Sequence, residues 1–138
     1  SMAEKKKVIL ELPGSGQEIM VWADRGQLQQ VFLNLLRNAV EACEEGQTVG
    51  LRIGSGTVGR GRKRVIATVW DRGPGVPPEF EERLFNPFFT TKAEGTGLGL
   101  AICLKIVQEH GGSINYRSGT EGGSEFSIDL QPAPTPSN

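Results

Sequence analysis

The chain has little of what zinc, nucleic-acid or membrane chemistry requires. Among 138 residues there are two cysteines, Cys43 and Cys103, and one histidine, His110. No C-x-x-C spacing and no clustered histidines accompany them, a pattern that offers no zinc site and suits a reduced protein with two buried thiols. A charge excess is missing too. With 15 basic residues against 16 acidic ones, the surface on which non-specific nucleic-acid binding relies is absent, and the lysines at 5–7 read as a solvated segment. No stretch approaches the roughly 20 apolar residues that span a bilayer, and no signal peptide precedes Val8. The expectation is a soluble, cytoplasmic piece without membrane contact, from a parent that is free to be membrane-anchored.

What is there fits one domain of ordinary size. Residues 1–7 read as a tag or linker remnant, 8–130 as the domain, and 131–138, with three prolines in eight residues, as a disordered tail or linker. Two short apolar runs, 8–12 and 19–22, flank a Pro-Gly-Ser-Gly turn and read as paired strands. From Asp24, an N-cap by type, a helix runs to about Cys43 and is stopped by Gly46. Its residues Leu28, Val31, Phe32, Leu35, Ala39 and Ala42 recur at the spacing of a face packed on a core. Strands over 48–54 and 64–70 flank a basic, glycine-rich turn at 55–63. The second, almost wholly apolar, is placed centrally and buried on both faces. A short helix over 77–84 starts on prolines. A helix over 98–110 ends at Gly111-Gly112, and a hairpin of 113–118 with 124–130 closes the chain.

Three stretches carry chemistry. Gly95-Thr-Gly-Leu-Gly-Leu100 leaves a turn without side-chain bulk before a helix, either a flexible loop or a cradle whose unpaired N–H groups hold phosphate. Asn34, Asn38 and Glu41, spaced by four and three, form a stripe along one edge of the apolar face. A polar group denied a partner costs on the order of 1–3 kcal/mol, so the stripe either bonds to neighbouring loops or supplies oxygen ligands to a hard cation such as magnesium. Asp71 ends the buried strand and begins the turn Asp71-Arg-Gly-Pro-Gly75. It is either an Asx turn or a carboxylate facing a pocket, where an acceptor suits the exocyclic amine of adenine and not the carbonyl of guanine. Residues 86–96 read as a mobile lid anchored by Phe85, Phe88 and Phe89. Lys92 is either solvated or within reach of a terminal phosphate. His110 lies in a last helical turn, where the helix dipole favours a cation and a capping role is usual.

In this order the motifs resemble those of the catalytic, ATP-binding domain of bacterial sensor histidine kinases, within the superfamily shared with DNA gyrase, heat-shock chaperones and mismatch-repair ATPases. The stretch from Gln30 to Ala42 resembles the N box, Asp71 to Gly75 the first glycine box, Phe85-Asn-Pro-Phe-Phe-Thr-Thr-Lys92 the F box of the nitrogen-regulator type, and Gly95 to Leu100 the second glycine box. The resemblance implies an α+β, two-layer α/β sandwich of the Bergerat type, a mixed sheet with helices on one face. It also implies ATP and Mg2+ as ligands. Carried onto matching positions, the nucleotide set is Asn34, Arg37, Asn38 and Glu41, then Asp71, Gly73 and Gly75, then Thr90, Thr91 and Lys92, and finally Gly95, Thr96, Gly97, Leu98, Gly99 and Leu100. Asn38 is the metal ligand, and Asn34 and Lys92 are assigned to the transfer itself.

Asn34 stands where hydrolytic relatives resemble one another in having a water-activating glutamate. A carboxamide has no basic site at neutral pH, so slow ATP hydrolysis is expected. The implied activity is a protein histidine kinase of two-component signal transduction, phosphorylating a histidine on a separate dimerisation domain, with a response regulator receiver domain downstream. The fragment is expected to be monomeric and the whole protein a homodimer. Competing readings are a serine kinase acting on a transcription-factor partner, and a non-catalytic module that keeps the fold for interaction.

Overall fold

The computed structural model describes residues 6–11, 18–90, 97–119 and 122–133. Two strands, β1 (Lys6–Glu11) and β2 (Glu18–Ala23), form an antiparallel hairpin, as the two apolar runs lead one to expect. Lys6 and Lys7 are part of that pairing, opposite Ala23 and Trp22. The ladder thus extends two residues ahead of Val8.

Helix α1 (Arg25–Ala42) starts on Asp24, whose Oδ1 accepts the Gln27 N–H at 2.8 Å. Leu28, Val31, Leu35 and Ala39 are its buried residues. β3 (Val49–Val58), β4 (Arg62–Asp71), α2 (Gly99–Glu109), β5 (Ile114–Ser118) and β6 (Ser124–Leu130) follow, with a short 3-10 helix at Pro78–Arg83. The turn between β3 and β4 is shorter than the expected 55–63, because the strands pair from Val49–Asp71 out to Val58–Arg62. Glycines in β3 do not end it. The Ile66 and Trp70 side chains lie across Gly56 and Gly50 and fill the space left there.

The four-stranded sheet has the order β3-β4-β6-β5, with every described neighbour antiparallel. This corrects the expected mixed sheet; the two layers with helices on one face stand. The crossover through α2 leads into β5, which would run parallel to β4 if it lay beside it. The return strand β6 takes that place instead, because it is buried at nearly every position while β5 is mostly exposed.

On the helix-covered face Val65, Ala67 and Val69 of β4 and Phe126, Ile128 and Leu130 of β6 meet the α1 residues and Cys103, Ile106 and Val107 of α2. The opposite face of β4 is not wholly buried as expected. Ile66 and Trp70 are half-covered there, and Thr68 is buried against Ser127, 2.8 Å between hydroxyls.

Three further expectations change. Cys103 is fully buried, its thiol directed to the Val31 carbonyl, whereas Cys43 caps α1 in extended conformation and is only half-buried. His110 does cap α2, yet as a neutral ring: Nε2 accepts the Asp24 N–H at 3.1 Å, so the proton sits on Nδ1, 2.8 Å from the Ile106 carbonyl. The ring ties the end of α2 to the start of α1. Finally, Gln131 and Ala133 belong to the fold. The Trp22 N–H donates to Gln131 O at 2.9 Å, and the Ala133 N–H to Met20 O at 3.0 Å. Pro132, which lacks a donor, bridges Val21.

Candidate nucleotide site

A cavity of about 540 Å3 opens between α1, the end of β4, the start of α2 and the first residues of the expected lid. Asn34, Arg37, Asn38 and Glu41 line it from α1, as their spacing of three and four requires once Leu35 and Ala39 face the core. Thus one wall is a row of carboxamide and carboxylate oxygens.

Asp71 lies at the opposite wall and is only 4% exposed. Its Oδ1 accepts the Gly73 N–H at 2.9 Å, and the Ser124 backbone N–H also supports it. Burial raises its pKa from the ordinary carboxylate value, and these two donors offset part of that rise. The Asx turn and the pocket carboxylate are therefore the same residue: one oxygen braces the turn while the group lines the cavity. Gly75 lines it as well, at φ 79. Gly73 does not line it. A Cβ there would lie 2.7 Å from the Ala42 carbonyl, so glycine lets the turn pack on the end of α1.

The far end is built from Thr90, Gly97, Gly99 and Leu100. Gly97 has φ 74, and a Cβ on it would collide with the Phe88 backbone, whose N–H donates to the Gly97 carbonyl at 2.9 Å. Leu98 is the N-cap of α2 and makes no side-chain cap, and the N-terminus of this 11-residue helix faces the cavity through Gly99 and Leu100. An anion is favoured there by the helix dipole. Nothing would obstruct a Cβ at Gly99, so that side of the turn is open space. Thr91, Lys92, Gly95 and Thr96 lie outside the described residues. Of the three phenylalanines, Phe85 packs edge-on against Phe126 with ring centroids 6.2 Å apart, and Phe89 lies 5.6 Å from Phe80. Phe88 does not anchor. At φ 67 it is turned outward and is 74% exposed.

Residues missed by sequence reasoning include Val76, Leu84, Ser124 and Phe126, all lining the cavity. Ser124 arrives through the register that pairs it with Asp71, and Phe126 shares its face two residues on. Long-range register of this kind leaves no local signal. Val76 had one, since it follows the first glycine motif directly.

A two-layer domain with a buried carboxylate at one end of its cavity and a helix N-terminus at the other is a nucleotide-binding domain in form. The chain belongs to the family described as histidine kinase-, DNA gyrase B- and HSP90-like ATPase, which matches residues 23–134. It is homologous to sensor histidine kinase catalytic domains. It is 38% identical over 128 residues to the sensor histidine kinase ZraS of Salmonella typhimurium, covering 93% of this chain and 27% of that one. With the C4-dicarboxylate transport sensor protein DctS of Rhodobacter capsulatus it shares 42% over 110 residues, 80% of this chain and 17% of that one. The chain thus spans well under a third of these relatives. Among solved structures, the catalytic domain of histidine kinase ThkA superposes with a TM-score of 0.69 at 39% identity, over 86% of this chain and 74% of that one. The mycobacterial sensor histidine kinase MprB gives 0.72 at 30%, over 84% and 78%. No helix among the described residues is long and apolar enough to cross a membrane.

Proposed function

We propose that this domain binds Mg-ATP and presents the γ-phosphate to a histidine on a separate dimerisation domain, in a two-component kinase of the nitrogen-regulator type whose phosphate passes to a response regulator. The observation that carries the reading is the polarity of the cavity: an acceptor-only group, Asp71, at one end, and the positive end of the α2 dipole, after Gly97, at the other. The first matches the exocyclic amine of adenine and the second matches phosphate oxygens.

Asn38, with Asn34 and Glu41 beside it on α1, supplies the oxygen donors that would hold magnesium, and their chemistry fits a hard cation. When bound, the ion neutralises phosphate charge. Asn34 can donate or accept a hydrogen bond but cannot take a proton from water, which disfavours hydrolysis and preserves the phosphoryl group for transfer. Lys92 is expected to add a point charge at the terminal phosphate. The remaining contribution is positioning and charge stabilisation. Phe88, exposed beside the phosphate end, supplies an apolar contact for the partner domain.

The test is incubation with radiolabelled Mg-ATP and the dimerisation domain of a matched sensor kinase. Acid-labile label on that domain's histidine supports the reading. Acid-stable label on serine means the serine-kinase alternative, and ATP binding with no transfer to any acceptor leaves an interaction module.

A further inference from the structure

Tyr116 lies on β5, outside the cavity lining, yet its hydroxyl meets the turn that follows Asp71. The Val76 N–H donates to it at 3.1 Å, and the Ser124 hydroxyl approaches it at 3.5 Å, at the limit of a hydrogen bond. Both Val76 and Ser124 line the cavity, and the Ser124 backbone N–H also supports Asp71. The phenol ring is fixed against Phe126, centroids 5.2 Å apart, and Phe126 is itself a lining residue. The turn from Asp71 to Val76 is thus held at its start by the Arg72 N–H on the Thr48 carbonyl and by Asp71 Oδ1 on the Gly73 N–H, and at its far end by Tyr116 on the Val76 N–H. Between them, Pro74 fixes its own φ, but Gly75, at φ 79, is a free joint next to Val76, and the Tyr116 bond lies directly after it.

We infer that Tyr116 is a positioning residue for adenine recognition, its hydroxyl setting the first glycine turn so that Asp71 meets the base. The inference rests on the nucleotide reading above. It follows that the hydroxyl acts on base selectivity and leaves the phosphate end, more than one element away, untouched. A neutral hydrogen bond contributes about 1 kcal/mol net, which is a roughly fivefold change in affinity.

Tyr116→Phe removes the oxygen and keeps the ring on Phe126. Calorimetric titration of the chain with ADP and GDP, with and without magnesium, is the experiment. The expected result is a roughly fivefold loss of ADP affinity, little change for GDP, and an unchanged ratio between affinities measured with and without magnesium. Equal ADP-to-GDP selectivity in the variant and the parent protein overturns the inference while leaving the nucleotide reading intact. A parent protein that does not prefer ADP overturns both. Because the chain contains one tyrosine, 3-fluorotyrosine places a single 19F probe in the otherwise unaltered protein. Its resonance should shift on ADP addition and stay still with inorganic phosphate and magnesium. A resonance indifferent to ADP contradicts the role even if Tyr116→Phe fails to fold.

Discussion

The two faces of the four-stranded sheet do different work with the same strands. On the covered face, β4 ends in Asp71 and β6 begins with Ser124, directly opposite each other, and both line the cavity. On the other face, ions hold the strands together. Arg64 pairs with Asp129 at 2.7 Å, both nearly buried, and also reaches the Gly111 carbonyl at 3.2 Å. Glu125 takes Arg52 at 2.9 Å and Arg117 at 2.8 Å. Strand alternation therefore puts the site residues and the ion pairs on opposite faces of the same strands, while the apolar core shares the face of the site.

If that separation holds, substitutions on the two faces have different readouts. The largest effect is Arg64→Ala, which strands a buried carboxylate and is expected to destabilise by about 3–5 kcal/mol in chemical denaturation, with ADP affinity unchanged wherever the variant is folded. Next is Asp71→Asn. The new amide oxygen still accepts the Gly73 N–H, but its NH2 opposes the adenine amine. ADP affinity should fall by about 2–3 kcal/mol, roughly 30- to 150-fold, by calorimetry. The melting temperature should hold or rise, because a buried charge is removed. Asn38→Ala should abolish the gain that magnesium gives to nucleotide affinity, at a stability loss below about 1 kcal/mol. Arg52→Ala is the smallest: an exposed arginine sharing its carboxylate with Arg117 is worth about 0–1 kcal/mol.

Acid sharpens the same contrast. Burial raises the Asp71 pKa, and the ionised form is the stronger, acceptor-only partner for the adenine amine, so ADP affinity should decline as pH falls through that raised value. At Asp129, burial pushes the carboxyl up but the Ser113 hydroxyl, Arg64 and the Ser113 N–H together bring it below its ordinary value. Arg117, against the opposing effect of burial and with help from Arg52, lowers Glu125. For both, stability is fully present above the ordinary carboxylate range and is lost as pH falls through the lowered values. Binding should therefore fail at a higher pH than folding, seen by titration and circular dichroism on the same samples. Coincident losses would break the comparison.

The elements that depend on local spacing were legible: the apolar stripe placed α1 and with it the row Asn34, Asn38 and Glu41, and the glycines placed the start of α2. What depends on distant pairing was not. The position of β6 between β4 and β5 decides both the antiparallel sheet and the arrival of Ser124 and Phe126 at the site. Tail residues 131–133 read as linker by composition, yet β2 offers an edge that they satisfy. Phe88 fits an anchor by residue type; only a positive φ reveals that it faces outward.

The most direct test of the central claim is calorimetric titration of the chain with ADP and a non-hydrolysable ATP analogue, with and without magnesium, against GTP and with Asp71→Asn in parallel. Adenine-selective binding that magnesium strengthens and the variant loses is the expected result. A folded protein that binds GTP as well as the ATP analogue, or whose Asp71→Asn variant binds ADP as tightly as the parent, contradicts it.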